Sequence, residues 1–294
     1  MSDFVQREQV TCRFDSADGW VVLTPIEQSI KRKIEAVGTP LKDWDIQINY
    51  GIKTGCNEAF IISTEKREEI LANCRTEEER NRTSELIRPI LRGRDIKRYG
   101  YVDNGLFLIN THNGIRGKFP RINIEDYPAV KAHLDQYWDK IYFRADQGDT
   151  PYNLRNCAYL EDFSKPKIIY PNMTKYMPFV FDNEMYLTNQ KCFIITGKYV
   201  AYLTAFFNSS LFKYCFRDSF PELQGGTREL SKIFFDKIPV YEVSDAQNLQ
   251  FQDAVEDIQK EYIKQKAQKI DSMLFDLYNL SSEEREAIGF VEIV

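Results

Sequence analysis

Asp95-Ile96-Lys97 is the part of this 294-residue chain that most resembles a catalytic constellation. An acid, a spacer and a lysine form the ending of a metal-dependent nuclease site. Such a site needs a second acid converging from an earlier strand, and a magnesium ion wants several oxygen ligands. Asp43 and Asp45 are the available partners. Arg92, Arg94 and Arg98 crowd Asp95, and pairing with them is the simpler use of its carboxylate. The same run, Leu86 to Tyr99, carries Arg88, Arg92, Arg94, Lys97 and Arg98 between apolar residues. Pro89, Gly93 and Tyr99 break any long helix there, so these side chains are expected to splay from a loop or short strand. Guanidinium forks suit both phosphates and guanine edges.

A second candidate is Gly51-Ile52-Lys53-Thr54-Gly55, read as a tight turn between two strands. Its glycines let backbone N–H groups approach a partner, with Lys53 and Thr54 between them. It lacks the four-residue spacer and Gly-Lys-Ser/Thr ending of a nucleotide-binding P-loop. Contact with a nucleic-acid backbone is its functional reading; a plain hairpin turn is the alternative. Gly225-Gly226 are expected to place Thr227 and Arg228 at a helix start, where they suit groove or phosphate contact. Asn153, Asn172 and Lys175 are candidate base-edge readers, because an amide can bond adenine in two places. The aromatics near them, Tyr142, Phe143, Tyr152 and Tyr170, are expected mostly in the core. His112 and His133 have no nucleophile that the sequence pairs with them.

The net charge of −5 argues superficially against nucleic acid. From Leu86 to Arg121, however, there are eight Lys/Arg against two Asp, whereas from Glu242 to the end there are twelve acids against five bases. The body is slightly basic and the acidity belongs to the tail. Six cysteines without a C-x-x-C pair, and only two histidines, supply no structural zinc set and suit reduced thiols in a cytosol. Ser2-Asp3-Phe4-Val5-Gln6-Arg7-Glu8 is too polar to open a signal peptide. The longest apolar stretch, Tyr199 to Phe216, is interrupted by Asn208-Ser209-Ser210 and Lys213, so a buried helix is expected there and no membrane span.

The elements that must position these groups can be read in outline. Thr24-Pro25-Ile26-Glu27 is a capping box for a helix to Val37 that stops at Gly38. Strands are expected over 46–52, 58–62, 105–109, 167–170, 178–181 and 191–195, and helices over 77–86 and 125–142. Ser244 caps a tail whose apolar residues recur at 251, 255, 258 and 262 and, after a phase shift, at 263, 267, 270, 274 and 277. That is coiled-coil-like spacing with one register break. The pattern predicts an α+β fold: a mixed-sheet domain over 1–241 with helical insertions, then a long C-terminal helix over 242–294 as a docking segment.

Several of these stretches, in this order, resemble the TaqI-like C-terminal specificity domain. They are Gly51-Ile52-Lys53-Thr54-Gly55 with Ala59-Phe60-Ile61-Ile62, Leu91-Arg92-Gly93-Arg94-Asp95-Ile96 with Tyr99, Lys167-Ile168-Ile169-Tyr170, Phe206-Phe207-Asn208-Ser209-Ser210-Leu211, and Lys237-Ile238-Pro239. The ending from Ile270 to Leu280 is similar to the ends of fused restriction–modification enzymes. More distantly, the chain resembles half of a type I specificity subunit.

The resemblance implies a target-recognition module for double-stranded DNA, working with a fused or partner adenine-specific methyltransferase in the cytoplasm of a prokaryote. It implies S-adenosylmethionine in that catalytic part and no cofactor in this chain. The family's glycine-rich cofactor loop and Asn-Pro-Pro-Tyr-type motif are not in this sequence, and Tyr170-Pro171-Asn172-Met173 has the wrong order to replace the latter. No catalytic residue is therefore assigned. The rival readings are a nuclease built on Asp95 and Lys97, and a protein-binding adaptor built on the tail, which is otherwise expected to dock the methyltransferase or a second copy.

Overall fold

The computed structural model describes residues 23–292; the polar opening and Cys12 lie outside them. The strands of the two main sheets are β1 (Ile46–Tyr50), β2 (Ile61–Ser63), β3 (Ile87–Leu91), β4 (Leu106–Ile109), β5 (Lys167–Pro171), β6 (Val180–Asp182), β7 (Leu187–Thr188) and β8 (Cys192–Gly197). The helices that matter below are α1 (Pro25–Val37), α2 (Val200–Asn208), α3 (Ser210–Phe216), α4 (Asp245–Lys260), α5 (Lys264–Leu277) and α6 (Ser282–Ile288). The fold is α+β, as the sequence predicts.

One sheet has the order β6-β5-β8-β1 and is antiparallel throughout. The other has the order β7-β3-β4-β2, with β7 parallel to β3 and the remaining pairs antiparallel. Strand β5 is buried along its whole length because both of its faces are covered. Ile168 and Tyr170 join a core with α2, α3 and the tail, while Ile169 enters a second core with β3 and β4. The period of two along a strand makes one short segment serve both cores. Between them sits an ion pair, Lys167 to Asp182 at 2.5 Å, with both side chains fully buried. Lys167 also donates to the Phe163 carbonyl, and Asp182 accepts from the Glu184 and Tyr186 N–H groups. The pair thereby fixes the turn that sends the chain from β6 across to β7.

The glycine turn differs from expectation. Residues 51–60 form no hairpin. They cross from β1 in one sheet to β2 in the other, through a short helix, Asn57–Phe60. Gly51 is required by close approach: a Cβ there would lie 2.1 Å from the Asn189 carbonyl oxygen. The Gly225-Gly226 pair also differs. It turns a small hairpin in which Leu223 N–H donates to the Thr227 carbonyl at 2.6 Å, and Arg228–Glu229 is a strand paired with Met173–Thr174. The expected helix start is displaced to Lys232–Phe235.

The largest correction concerns the tail. Instead of one long helix, α4 and α5 form a hairpin broken at 261–263, followed by α6. Phe251, Val255, Ile258, Ala267, Ile270 and Leu274 are all buried in the same core as β5 and α2. Most of the apolar stripe is thus covered by the chain's own body, with Tyr262 left exposed, which leaves a docking role for the residues after 241 without the support of an open stripe. Ser244 and Ser281 do cap their helices through reciprocal boxes, as does Thr24 for α1. Among the described residues no helix is long and apolar enough to cross a membrane.

Candidate nucleic-acid interface

Three segments meet at one end of the sheets: 92–98 after β3, 171–178 after β5, and 189–191 before β8. Pairing of Thr188 with Leu91 and of Cys192 with Pro171 brings them side by side. Gly93 allows the closest approach, since a Cβ there would be 3.1 Å from the Lys191 carbonyl oxygen and 3.3 Å from Pro171. The segments enclose a cleft of about 820 Å³, completed by Asn57 on one side and Tyr262 of the tail on the other. Arg94, Lys97 and Lys191 are exposed in it, and no carboxylate lines it. On its wall, the buried side-chain oxygen of Asn172 has no hydrogen-bond donor among the described residues. Unpaired cations around an unpartnered amide are suited to phosphates and to a base edge.

The other members of the basic run have internal duties. Arg92 lines the cleft but is held by Asp95, with Nε and Nη2 each 3.0 Å from a carboxylate oxygen. Asp95 also accepts from the Arg92 backbone N–H and from Asn104 Nδ2. That occupancy corrects the nuclease reading. Asp45, with Asp43 two residues before it, stands at the Gly197 end of β8, at the far end of that strand from Cys192 and the 92–98 loop, so neither expected second acid converges.

Arg98 is only 7% exposed and donates from Nε and Nη2 to the Asn208 carbonyl at the end of α2, and from Nη1 to Val291 O at 2.8 Å. Its charge complements the helix C-terminus. Tyr99, at φ 57°, turns its side chain inward beside it, where its hydroxyl donates to the Ala205 carbonyl. The run is therefore split, with Arg94 and Lys97 outward and Arg98 and Tyr99 inward.

The remaining candidates lie apart from the cleft lining. Lys53 is half-buried with its Nζ 5.1 Å from the Tyr50 ring centroid. Thr54 is buried and donates to Asn57 Oδ1 at 2.6 Å. Arg88 is half-buried and donates to the Met185 carbonyl. Lys175 is exposed next to Tyr176. Thr227 is half-buried in its hairpin. Arg228 is buried, donating to Phe220 O and pairing with Asp218 and Glu222, both at 2.9 Å. Asn153 is 1% exposed, and its amide donates to the Ile122 carbonyl at 2.9 Å. In this conformation neither Asn153 nor Arg228 presents a polar group to a base edge.

Of the aromatics, Tyr170 is core, stacked on Phe193 with ring centroids 5.5 Å apart. Phe143 departs from expectation at 82% exposed. His112 and His133 are both pushed below the ordinary imidazole range by burial. His133 bonds the Ala59 carbonyl, and His112 Nδ1 accepts from Gly114 N–H. Lys191 and Tyr176 were not singled out from the sequence, and Tyr262 was read only as a member of the tail's apolar stripe. The signal available for the first two was a polar–aromatic mixture in the segments flanking β5 and β8.

Residues 88–240, just over half of the chain, match the family described as the TaqI-like C-terminal specificity domain. The chain belongs to this family. It is also 22% identical over 283 residues to the Type II methyltransferase M.BstVI of Geobacillus stearothermophilus, an alignment covering 94% of this chain and 47% of that protein. The specificity-domain chain thus spans about half the length of that curated relative. Among solved structures, the type IIL restriction-modification enzyme MmeI, determined in complex with DNA, matches 85% of this chain with 35% of its own. The TM-score is 0.56 at 11% identity. The type IIG restriction endonuclease BpuSI matches 87% of this chain with 33% of its own, with a TM-score of 0.50 at 13% identity. Those two likenesses show a shared fold.

Proposed function

We propose that this chain is the sequence-recognition module of a restriction–modification or related defence system in a prokaryotic cytoplasm. It holds duplex DNA so that an adenine-specific methyltransferase, fused to it or bound as a subunit, acts at a chosen sequence. The observation that carries this reading is the cleft in which Arg94, Lys97 and Lys191 meet no carboxylate around the unpartnered Asn172 amide. The cations neutralise phosphates and set register on the duplex; Asn172 is the base-edge reader best supported by its position. Arg92, rigidified by Asp95, adds a shaped wall more than a free charge. Lys53 and Lys175 extend the positive surface outside the cleft.

The mechanism assigned to this chain is binding. Methyl transfer from S-adenosylmethionine belongs to the catalytic part. The cleft does not fit that cofactor: its lining cations oppose a sulfonium, and it offers no carboxylate for ribose hydroxyls. The family membership, the methyltransferase relative and the fold shared with restriction–modification enzymes support the reading. The experiment is selection of duplexes from a randomised pool by the purified chain, followed by sequencing. Enrichment of one short motif, lost in Asn172→Ala, is expected. Retention of DNA without any sequence enrichment would contradict a recognition role.

A further inference from the structure

The cleft contains more than a phosphate grip. Tyr176 and Tyr262, 49% and 44% exposed, line it together with Arg94 and Lys97. Each ring stands on a rigid support. Thr174 Oγ1 accepts from the backbone N–H groups of Tyr176 and Met177 at 3.1 and 3.2 Å, closing a tight turn. Met177, at φ 50°, is buried directly after Tyr176, and its carbonyl accepts from the buried Lys213 amine. The turn therefore drives Met177 inward and Tyr176 outward. Tyr262 comes from the break between α4 and α5, where its hydroxyl lies 3.4 Å from Arg98 Nη1. Both helices around that break are anchored in the core, so the tail delivers this ring to the cleft.

A tyrosine hydroxyl can bond a phosphate of an intact duplex, but the π-face of a ring meets a base only when that base has left the stack, because paired bases keep their own π-faces inside. Rings beside phosphate-binding cations are the arrangement that receives unstacked nucleotides. The cleft volume of about 820 Å³ lies within the range of small-molecule sites, about 300–1,000 Å³. Resting on the DNA reading above, we propose that this cleft captures a single nucleotide displaced from the duplex, its base against Tyr176 and Tyr262 and its phosphate on Arg94 and Lys97. The tail helices are then part of the binding site, through the residue at their break.

The test compares a fully paired labelled duplex with the same duplex carrying one bulged 2-aminopurine nucleotide. The wild-type chain binds the bulged duplex about tenfold tighter, and the probe's fluorescence is quenched on binding. Tyr176→Ala and Tyr262→Ala each bring the ratio of the two affinities towards one, and Phe at the same positions restores both the ratio and the quench. Circular dichroism establishes that each variant is folded. Equal affinity for the two duplexes overturns the proposal, as does a ratio that survives Tyr176→Ala/Tyr262→Ala. In either case salt-dependent binding of the paired duplex leaves the DNA reading standing. Failure to bind either duplex overturns both.

Discussion

The cleft and the tail are built on one core and use their charges in opposite ways. On the tail, Lys266 pairs with Asp257 at 3.1 Å, Arg285 with Asp276 at 2.7 Å, and Glu284 with Lys33 of α1 at 2.6 Å. Its apolar stripe is covered except at Tyr262, which opens into the cleft. In the cleft, Arg94, Lys97 and Lys191 face solvent without a carboxylate, and two tyrosines remain open. The net charge of −5 would hide this contrast, because the twelve acids of the tail outnumber the cations left free in the cleft. What sets the cleft apart is cationic charge without a carboxylate partner beside open aromatic rings.

The comparison breaks most directly at the tail. Deleting everything after Tyr241 strips Phe251, Val255, Ile258, Ala267, Ile270 and Leu274 from the main core. Each truncated apolar contact in a core costs about 2–5 kcal/mol, so the deletion should abolish cooperative folding. Circular dichroism and thermal unfolding check this. A truncated chain that stays folded and binds DNA would restore the tail as a separate docking segment.

Arginines separate the two uses of charge at single-residue scale. Arg98→Ala leaves the Asn208 and Val291 carbonyls without their donors and should lower stability by about 2–4 kcal/mol. Arg94→Ala should change stability by less than about 0.5 kcal/mol while weakening DNA binding. Urea unfolding and DNA titration on both variants decide it. Equal stability losses would erase the distinction between inward and outward members of the run.

The tail clamp also has a pH signature. Burial alone would raise the Glu284 carboxyl, but donors from Lys33, Ser29 and the Ser281 N–H outweigh it and lower its pKa to about 2. A depressed carboxylate contributes stability fully above its unfolded value, about 4.3, and loses it as pH falls towards about 2. Glu284→Gln should lower stability at pH 7 by about 2 kcal/mol and flatten the acid limb of the stability curve. A variant that keeps the wild-type acid limb would remove the clamp from the account. The smallest effect is expected at Lys53. Lys53→Ala should weaken all duplexes alike and reduce the salt slope by about one. A loss confined to one sequence would move Lys53 into the reading site.

Legibility in the sequence followed the range of the interactions. The boxes at Thr24 and Ser244 are local, and the sequence located both of them. The strands of 167–170 and 191–195 were readable from apolar runs, and the basic run at 88–98 supplies part of the cleft's lining. Which of its members face outward was not readable. That depends on Tyr99 adopting a positive φ and on the end of α2 lying beneath Arg98, a contact 110 residues away in sequence. The same limit applies to the tail: a stripe at 255, 258, 267 and 270 has the same spacing whether a partner or the chain's own body covers it. The burial of Arg228 and Asn153 was not readable either, because a buried polar strut and an exposed reader use the same residue types.

The account's central claim is that the cleft's unpaired cations hold the DNA backbone. Its most direct test is the slope of log affinity against log salt for a duplex, measured on the wild-type chain and on Arg94→Ala/Lys97→Ala/Lys191→Ala. Each phosphate contact contributes about 0.9 to that slope, so the variant's slope should be shallower by nearly three. An unchanged slope in a folded variant would mean that DNA is held elsewhere, and the cleft would lose its function.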